Sequence, residues 1–295
     1  PLSIPTLLAQ WGHSWPWDQV QTDDNGSWLT DAIRRNDIIV ISDGSYQPVL
    51  STTRSGAAWI IECFSSKQRI IGYLPTTTNN GNSYRAELTG IYAALTYILA
   101  CTSVHNVTEG QIQVHCDNEK AILLASITGS RLPQKTQHAD VLRLIIDISI
   151  RLPINISFHH IYGHQDKWLP YDLLDRASQL NVDCDKLAKV GLKRDITRNC
   201  ITHDILPREQ ISIFIDGQKA TTSIGPHLRD AISKSKLRSH LHNKGTISEE
   251  AFDHIDWTGI QQTMHRFSTT KRLWVTKHVS GFSATNKTLS YRSPN

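Results

Sequence analysis

The chain has 295 residues, of which 39% are hydrophobic and 20% charged; this is ordinary globular composition, with room for one or two cored domains, and it excludes a disordered or fibrous class. The net charge of +4 is uneven: residues 196–295 carry 14 Lys and Arg against 8 Asp and Glu, which leaves residues 1–195 slightly acidic. Five cysteines (Cys63, Cys101, Cys116, Cys184, Cys200), with no C-x-x-C pair, point to a reducing compartment. An intracellular address is therefore expected, nuclear or cytoplasmic being left open. No signal peptide is visible, and the longest mostly apolar segment, residues 88–101, is shorter than the about 20 residues a membrane span needs. No membrane partner is expected. Because the first residue is Pro1 and not Met, the chain is expected to be a fragment or a processed piece.

Residues 1–37 place Trp11, Trp15, Trp17 and Trp28 among polar and turn residues without a sustained period, and read as an extension that packs its tryptophans on the adjoining domain. Residues 38–45 (Ile-Ile-Val-Ile-Ser-Asp-Gly-Ser) predict a buried central strand with an acid at its tip. Ile39, Ile41 and Asp43 share one face, and β-branched residues on both faces call for cover on both sides. Asp43 before Gly44 also fits a simple turn. Residues 55–64 and 68–74 predict two further strands of an antiparallel meander.

After a polar loop at 76–81, Ser83 opens a helix in which Leu88, Ile91, Tyr92, Leu95, Ile98 and Leu99 follow the 3.6 period. Glu87 lies in its first turn, and its i+4, i+7 and i+11 partners are all apolar, so the carboxylate points toward the sheet. Residues 111–116 alternate as a strand that delivers Asp117 ahead of a helix at 119–126. Asp117 fits a helix cap and a catalytic acid alike. Residues 136–150 predict another amphipathic helix, residues 154–161 a strand leading into Gly163-His164, and residues 180–192 a helix whose inner stripe is Leu180, Cys184, Leu187 and Gly191. Asn181, Asp185 and Ala188 lie at the edge of that stripe. Downstream, residues 211–224 read as a hairpin and residues 226–242 and 257–267 as helices.

Four acids thus fall at strand tips or helix faces, in the order Asp43, Glu87, Asp117, Asp185. With Asp43-Gly44-Ser45, Tyr84-Arg85-Ala86-Glu87-Leu88, Cys116-Asp117-Asn118, Gly163-His164 and Asn181-Val182-Asp183-Cys184-Asp185-Lys186-Leu187-Ala188, residues 38 to about 192 resemble the type 1 ribonuclease H domain, in its retroelement, reverse-transcriptase-associated form. The resemblance implies an α/β fold with a mixed five-stranded sheet, the first three strands antiparallel, flanked by helices. The implied division is an extension at 1–37, the ribonuclease H-like domain at 38–195 and a basic α+β region at 196–295.

The resemblance also selects Asp185 over Asp183 as the fourth acid, and gives His164 as a mobile-loop histidine that helps proton transfer or product departure. Ser45, Asn118 and Asn181 are the implied substrate-binding residues. Two carboxylates about 4 Å apart repel by roughly 4 kcal/mol at an effective dielectric of about 20, so four converging acids require protons or a cation. Hard oxygen ligands favour two Mg²⁺ ions, with Mn²⁺ as substitute. Asp43 would bridge them, with Glu87 and Asp117 on the leaving-group side and Asp185 on the side of the attacking water.

The implied reaction is hydrolysis of the RNA strand of an RNA·DNA hybrid, leaving 5′-phosphate and 3′-hydroxyl ends. The alternative is an inactive or weakly active hybrid-binding module. Two features depart from the family. Residues 165–180 form an insertion, and the basic grip on the hybrid is thin, with Arg131, Lys135 and His138 in its place. That thinness, together with the pattern from Trp274 to Phe282, resembles retroelement polyproteins and implies an adjoining reverse transcriptase as partner. Lys234, Lys236, Arg238, Lys271, Arg272, Lys277 and Trp274 are expected to track a nucleic-acid backbone.

Overall fold

The computed structural model describes residues 3–12, 15, 17–22, 26–50, 54–77, 82–127, 132–133, 135–196, 205–222, 224–245 and 247–279. They fall into two units, Pro1–Leu228 and Arg229–Asn295. Arg131, Cys200 and residues 280–282 of the tail pattern lie outside the described residues.

The first unit begins with helix α1 (Ile4–Trp11), strand β1 (Gln21–Thr22) and helix α2 (Ser27–Arg34), short elements in a stretch where no long one was expected. Both helices are short, and their apolar residues serve the core of the whole unit: Ile4, Leu8, Trp28, Leu29 and Ile33 are all buried there, as is Trp15 between the helices. Strands β2 (Ile38–Ser45), β3 (Arg54–Cys63) and β4 (Arg69–Thr77) come next, then helix α3 (Ser83–His105), β5 (Gln111–Cys116), α4 (Glu119–Ala125), α5 (Ala139–Arg151), β6 (Asn155–His160) and α6 (Arg176–Ile196).

The sheet order is β1-β4-β3-β2-β5-β6. Strands β2, β3 and β4 pair antiparallel, whereas β5 lies parallel to both β2 and β6. The expected five strands are therefore joined by a sixth: the two-residue β1 adds to the free edge of β4, pairing Gln21 with Ile71 and Thr22 with Ile70.

Strand β2 is covered on both faces, as its unbroken apolar run requires. Ile38 and Val40 join the main core beneath α3, while Ile39 and Ile41 pack with Leu180, Cys184 and Ala188 of α6. Helix α6 lies so close to β3 that a Cβ on Gly56 would fall 2.6 Å from the Leu192 nitrogen. Ala188, expected at the edge of the α6 stripe, is instead fully buried. By length and composition α3 is apolar enough to cross a membrane, but here it is the central helix of the core, buried from Tyr84 to Thr102.

Helix α6 starts at Arg176, earlier than the expected Leu180, so the last residues of the 165–180 segment are helical. The Arg-Ala-Ser-Gln segment lacks an apolar period and is ordered by ion pairs instead. Glu62, with no exposed side-chain surface, accepts hydrogen bonds from Arg69 Nε at 2.6 Å and from Arg176 Nε and Nη2 at 2.7 and 2.6 Å.

The chain does not leave the first unit at residue 195. Strands β7 (Phe214–Ile215) and β8 (Gln218–Lys219) form a hairpin shorter than expected, and the segment around it packs on the rest of the unit. Leu206 is part of the main core, Trp15 Nε1 donates to Ile205 O at 3.2 Å, and Tyr92 donates to the Pro207 carbonyl.

Helix α7 (Ile224–Asn243) runs through the boundary in sequence, and α8 (Glu249–Asp253), α9 (Trp257–His265) and α10 (Thr269–Val279) complete the second unit. Its small centre holds Leu241 and Phe252, with Trp257 against Phe252 at 4.7 Å. Of the basic residues expected to track a backbone, Arg238 is taken up by Asp253 and the Phe252 ring, and Lys271 lies over Phe267.

Candidate active site

Strand register places two of the four acids. The parallel ladder between β2 and β5 ends with Ser42 opposite Cys116. Asp43, still within β2, and Asp117, the first residue after β5, come next in the two segments, and neighbouring strands lie about 4.8 Å apart. From β2 the sheet extends to β3 and β4 on one side and to β5 and β6 on the other. Such a divergence, at the carboxyl ends of parallel strands, is where open α/β sheets offer a crevice for ligands.

Helix α3 supplies the third acid. Asn82 caps it by accepting from the Arg85 nitrogen at 2.8 Å, and the first turns lie directly on the tip of β2. Ser42 Oγ donates to the Glu87 carbonyl at 2.8 Å, and a Cβ on Gly44 would stand 2.6 Å from Ser83 O and 2.7 Å from Glu87 N. A carboxylate oxygen of Glu87, one of Asp117 and the Cys116 sulfur lie within 4.8 Å of one another. Helix α6 supplies the fourth. Cys184 turns toward the Ile41 carbonyl, with its Sγ 3.9 Å away, and this brings the adjacent Asp185 to the end of β2.

The electrostatics record the convergence. Burial pushes the Asp43 carboxyl well above the usual carboxylate range, and the charges of Asp117, Asp185 and Glu87 each raise it further. Glu87 is pushed up to about 8, first by burial and then by Asp117, with Asn118 and Ser83 partly opposing. Asp117 is raised by burial and by Asp185, while His164 and His160 pull it down. Asp185 accepts from Lys189 Nζ at 2.5 Å. Among the described residues no Lys or Arg pairs with Asp43, Glu87 or Asp117, and Glu87 Oε2 is buried without a partner.

Asn118, not Asp117, caps α4: its Oδ1 accepts from Ala121 N at 3.0 Å, which leaves the Asp117 carboxylate out of the cap. Ser45 is buried at the end of β2, on the face of Asp43. Asn181, one turn before Asp185, is buried with Oδ1 unpartnered. His164 is exposed, adopts a left-handed φ of 54°, and comes after Gly163, where a Cβ would overlap the Asp117 carboxylate.

Three neighbours escaped the sequence reading. Cys116 is a buried thiol whose pKa is raised well above the ordinary value, chiefly by burial, so it stays protonated beside the acids. His160 has Nε2 3.1 Å from the Asp117 carbonyl, and Lys189 holds Asp185. The spacing of Asp185 and Lys189, one helical turn, was the available signal for the last; a strand-end histidine among 14 offered none.

The antiparallel β2–β3–β4 meander, the parallel β5 and β6, and helices α3 and α6 on opposite faces complete the pattern. The fold is ribonuclease H-like. No protein-family model matches the sequence, and no curated protein matches it. Among solved structures, the chain is similar to LC11-RNase H1 in complex with RNA/DNA hybrid, at 14% identity over 54% of this chain and 99% of that one, with a TM-score of 0.38. It is also similar to the N-terminal RNase H domain of a Mycobacterium tuberculosis protein, at 12% identity over 54% and 96% of the two chains, TM-score 0.37. A third is the prototype foamy virus protease-reverse transcriptase, at 17% identity and TM-score 0.38, where 54% of this chain spans 21% of that one.

Proposed function

We propose that the chain is a divalent-metal-dependent endonuclease that hydrolyses the RNA strand of RNA·DNA hybrids, as a piece of a retroelement polyprotein. The observation that carries this reading is the buried carboxyl of Asp43, acted on at once by Asp117, Asp185 and Glu87. Acids gathered from β2, the end of β5, α3 and α6 against their mutual repulsion have no structural benefit, and among the described residues only Asp185 of the four has an ammonium partner. A donor set of hard carboxylate oxygens, one of them buried and unpartnered on Glu87, fits Mg²⁺ or Mn²⁺.

Asp43, Glu87, Asp117 and Asp185 would together hold such ions. When bound, paired ions supply an activated water and charge stabilisation at the departing 3′ oxygen. The chain's own residues do the rest. The Ser42 bond to the Glu87 backbone fixes α3 on β2, so the acids are held before substrate arrives. His164, exposed beside Asp117, is available to pass a proton to solvent. Asn181 and Asn118 offer amide groups to the ribose 2′-hydroxyl, the group that separates RNA from DNA.

The test is incubation of the full chain with Mg²⁺ and a labelled RNA·DNA hybrid, alongside matching single-stranded RNA and double-stranded DNA. Cleavage confined to the RNA of the hybrid, lost in Asp43→Asn, is the expected result. Hybrid that is bound but uncut would assign the chain to the binding-module alternative.

A further inference from the structure

We propose that the groove between α5 and the β7–β8 hairpin is a second binding site, which grips the phosphate backbone of a nucleic-acid duplex away from the acid pocket. The proposal rests on the nucleic-acid reading of the chain. It concerns residues that the pocket does not use.

The hairpin segment is locked to α5 by buried charge. Arg85 donates to both oxygens of Asp140 at 2.9 Å, Lys219 Nζ lies 3.1 Å from Asp140 and 2.6 Å from Glu209, and Ala139 N donates to Thr221 O at 3.1 Å. Alongside this lock opens a groove of about 660 Å³, whose walls include Pro133, Arg143, Arg208, Gln210 and Thr222.

Every acid of the groove already has its cation. Asp140 and Glu209 are taken by the lock, and Asp147 by Arg151 at 2.8 Å. Two guanidiniums are left over. Arg143 is exposed and makes no ion pair among the described residues. Arg208 has its guanidinium carbon over Trp11, 4.6 Å from the ring centre, with no carboxylate partner among the described residues and with Nε lacking an acceptor. Thr222 Oγ1 is buried there without a partner.

A rigid guanidinium fork on an aromatic ring, a second guanidinium and spare hydroxyl and amide groups match phosphate oxygens. The surplus of positive charge selects a polyanion over an apolar peptide as occupant. Polar contacts also join α4 to the start of α5. Lys120, two residues beyond Asn118, lies over the Tyr84 ring and donates to Gln137 at 3.5 Å, and Gln137 stands two residues before the hairpin-bonded Ala139.

The experiment is fluorescence anisotropy of the full chain without divalent ions, titrated with a labelled RNA·DNA hybrid and with the matching DNA duplex over a range of salt. Arg143→Glu, at an exposed position, should weaken both duplexes about tenfold and lower the salt slope by about one, because phosphate contacts carry no sequence information. Arg208→Lys, which keeps the charge but loses the fork, should weaken both by a smaller factor. If Arg143→Glu binds both duplexes with the affinity and slope of the unmutated chain, or the unmutated chain binds neither, the proposal fails, and the groove is left to a peptide occupant. The outcome is independent of cleavage: a chain that binds duplex through Arg143 but never cuts hybrid would overturn the nuclease reading alone.

Discussion

Asp43 and Asp117 stand abreast at the carboxyl ends of β2 and β5, one residue beyond the Ser42–Cys116 pair that closes the parallel ladder. The sheet itself therefore brings two like charges together, and burial keeps water from screening them. Replacing Asp43 by Asn keeps the shape and removes one charge. In the presence of a chelator Asp43→Asn should raise the melting temperature by several degrees, while Mg²⁺ or Mn²⁺ no longer stabilises the protein and hybrid cleavage is lost. A lower melting temperature in chelator would mean that the carboxylates do not repel one another.

Glu87 yields a pH dependence with a defined sign. Its folded pKa of about 8 lies above the ordinary glutamate value of 4.5, so between these the folded state binds a proton that the unfolded chain has released. Stability of the metal-free protein should then fall as pH rises through this window, with a limiting contribution of about 1.4 kcal/mol per pH unit from that one group. Glu87→Gln should flatten the curve and gain stability near pH 8. Urea unfolding at several pH values in chelator measures it; parallel curves for the two proteins would refute the shift.

Two glycines separate positioning from stability. A Cβ at Gly44 would press on the α3 backbone at Ser83 and Glu87, so Gly44→Ala should cost about 1–3 kcal/mol in denaturant unfolding and lower cleavage with it. A Cβ at Gly163 meets the Asp117 side chain first, from a surface loop. Gly163→Ala should leave the unfolding midpoint nearly unchanged while weakening divalent-ion binding in calorimetric titration. Equal effects of the two substitutions on stability would contradict the placement of Gly163.

Glu62 anchors the start of α6. It is wholly buried and holds Arg69 and Arg176, and Arg69 in turn lies 3.6 Å from Asp183, which accepts from the Tyr171 hydroxyl at 2.9 Å. Glu62→Gln leaves two guanidiniums facing a neutral group and should cost about 3 kcal/mol, measured by urea unfolding. Hydrogen exchange should quicken first in residues 171–180, ahead of β2 and β5. Uniform quickening across the sheet would show that Glu62 supports the whole core and not this helix end.

Some of this was legible along the chain. The β2 and β5 bounds come from an unbroken β-branched run and from strict alternation, both of which are local signals. The first turn of α6 was not legible, because Arg176 to Gln179 offer no apolar period and are ordered by Glu62, 114 residues away from Arg176. Helices α1 and α2 were missed for a different reason: each carries apolar residues at helical spacing, Ile4, Leu7 and Leu8 in one and Trp28, Leu29, Ala32 and Ile33 in the other, but at eight residues neither pattern is long enough to be read as a helix, and the core they join is what stabilises them.

The amino-acid order by itself set which acids end which elements, since a carboxylate at the tip of an apolar run, or on the apolar stripe of a helix, announces itself through periods of 2.0 and 3.6 residues. Tertiary packing alone decided that Asn118 takes the α4 cap and frees Asp117, that Lys189 reaches Asp185 while Glu87 has no counter-charge among the described residues, and that residues 205–222 return to wall a groove on α5. These outcomes depend on contacts between segments far apart in the chain, whose energies no local period encodes.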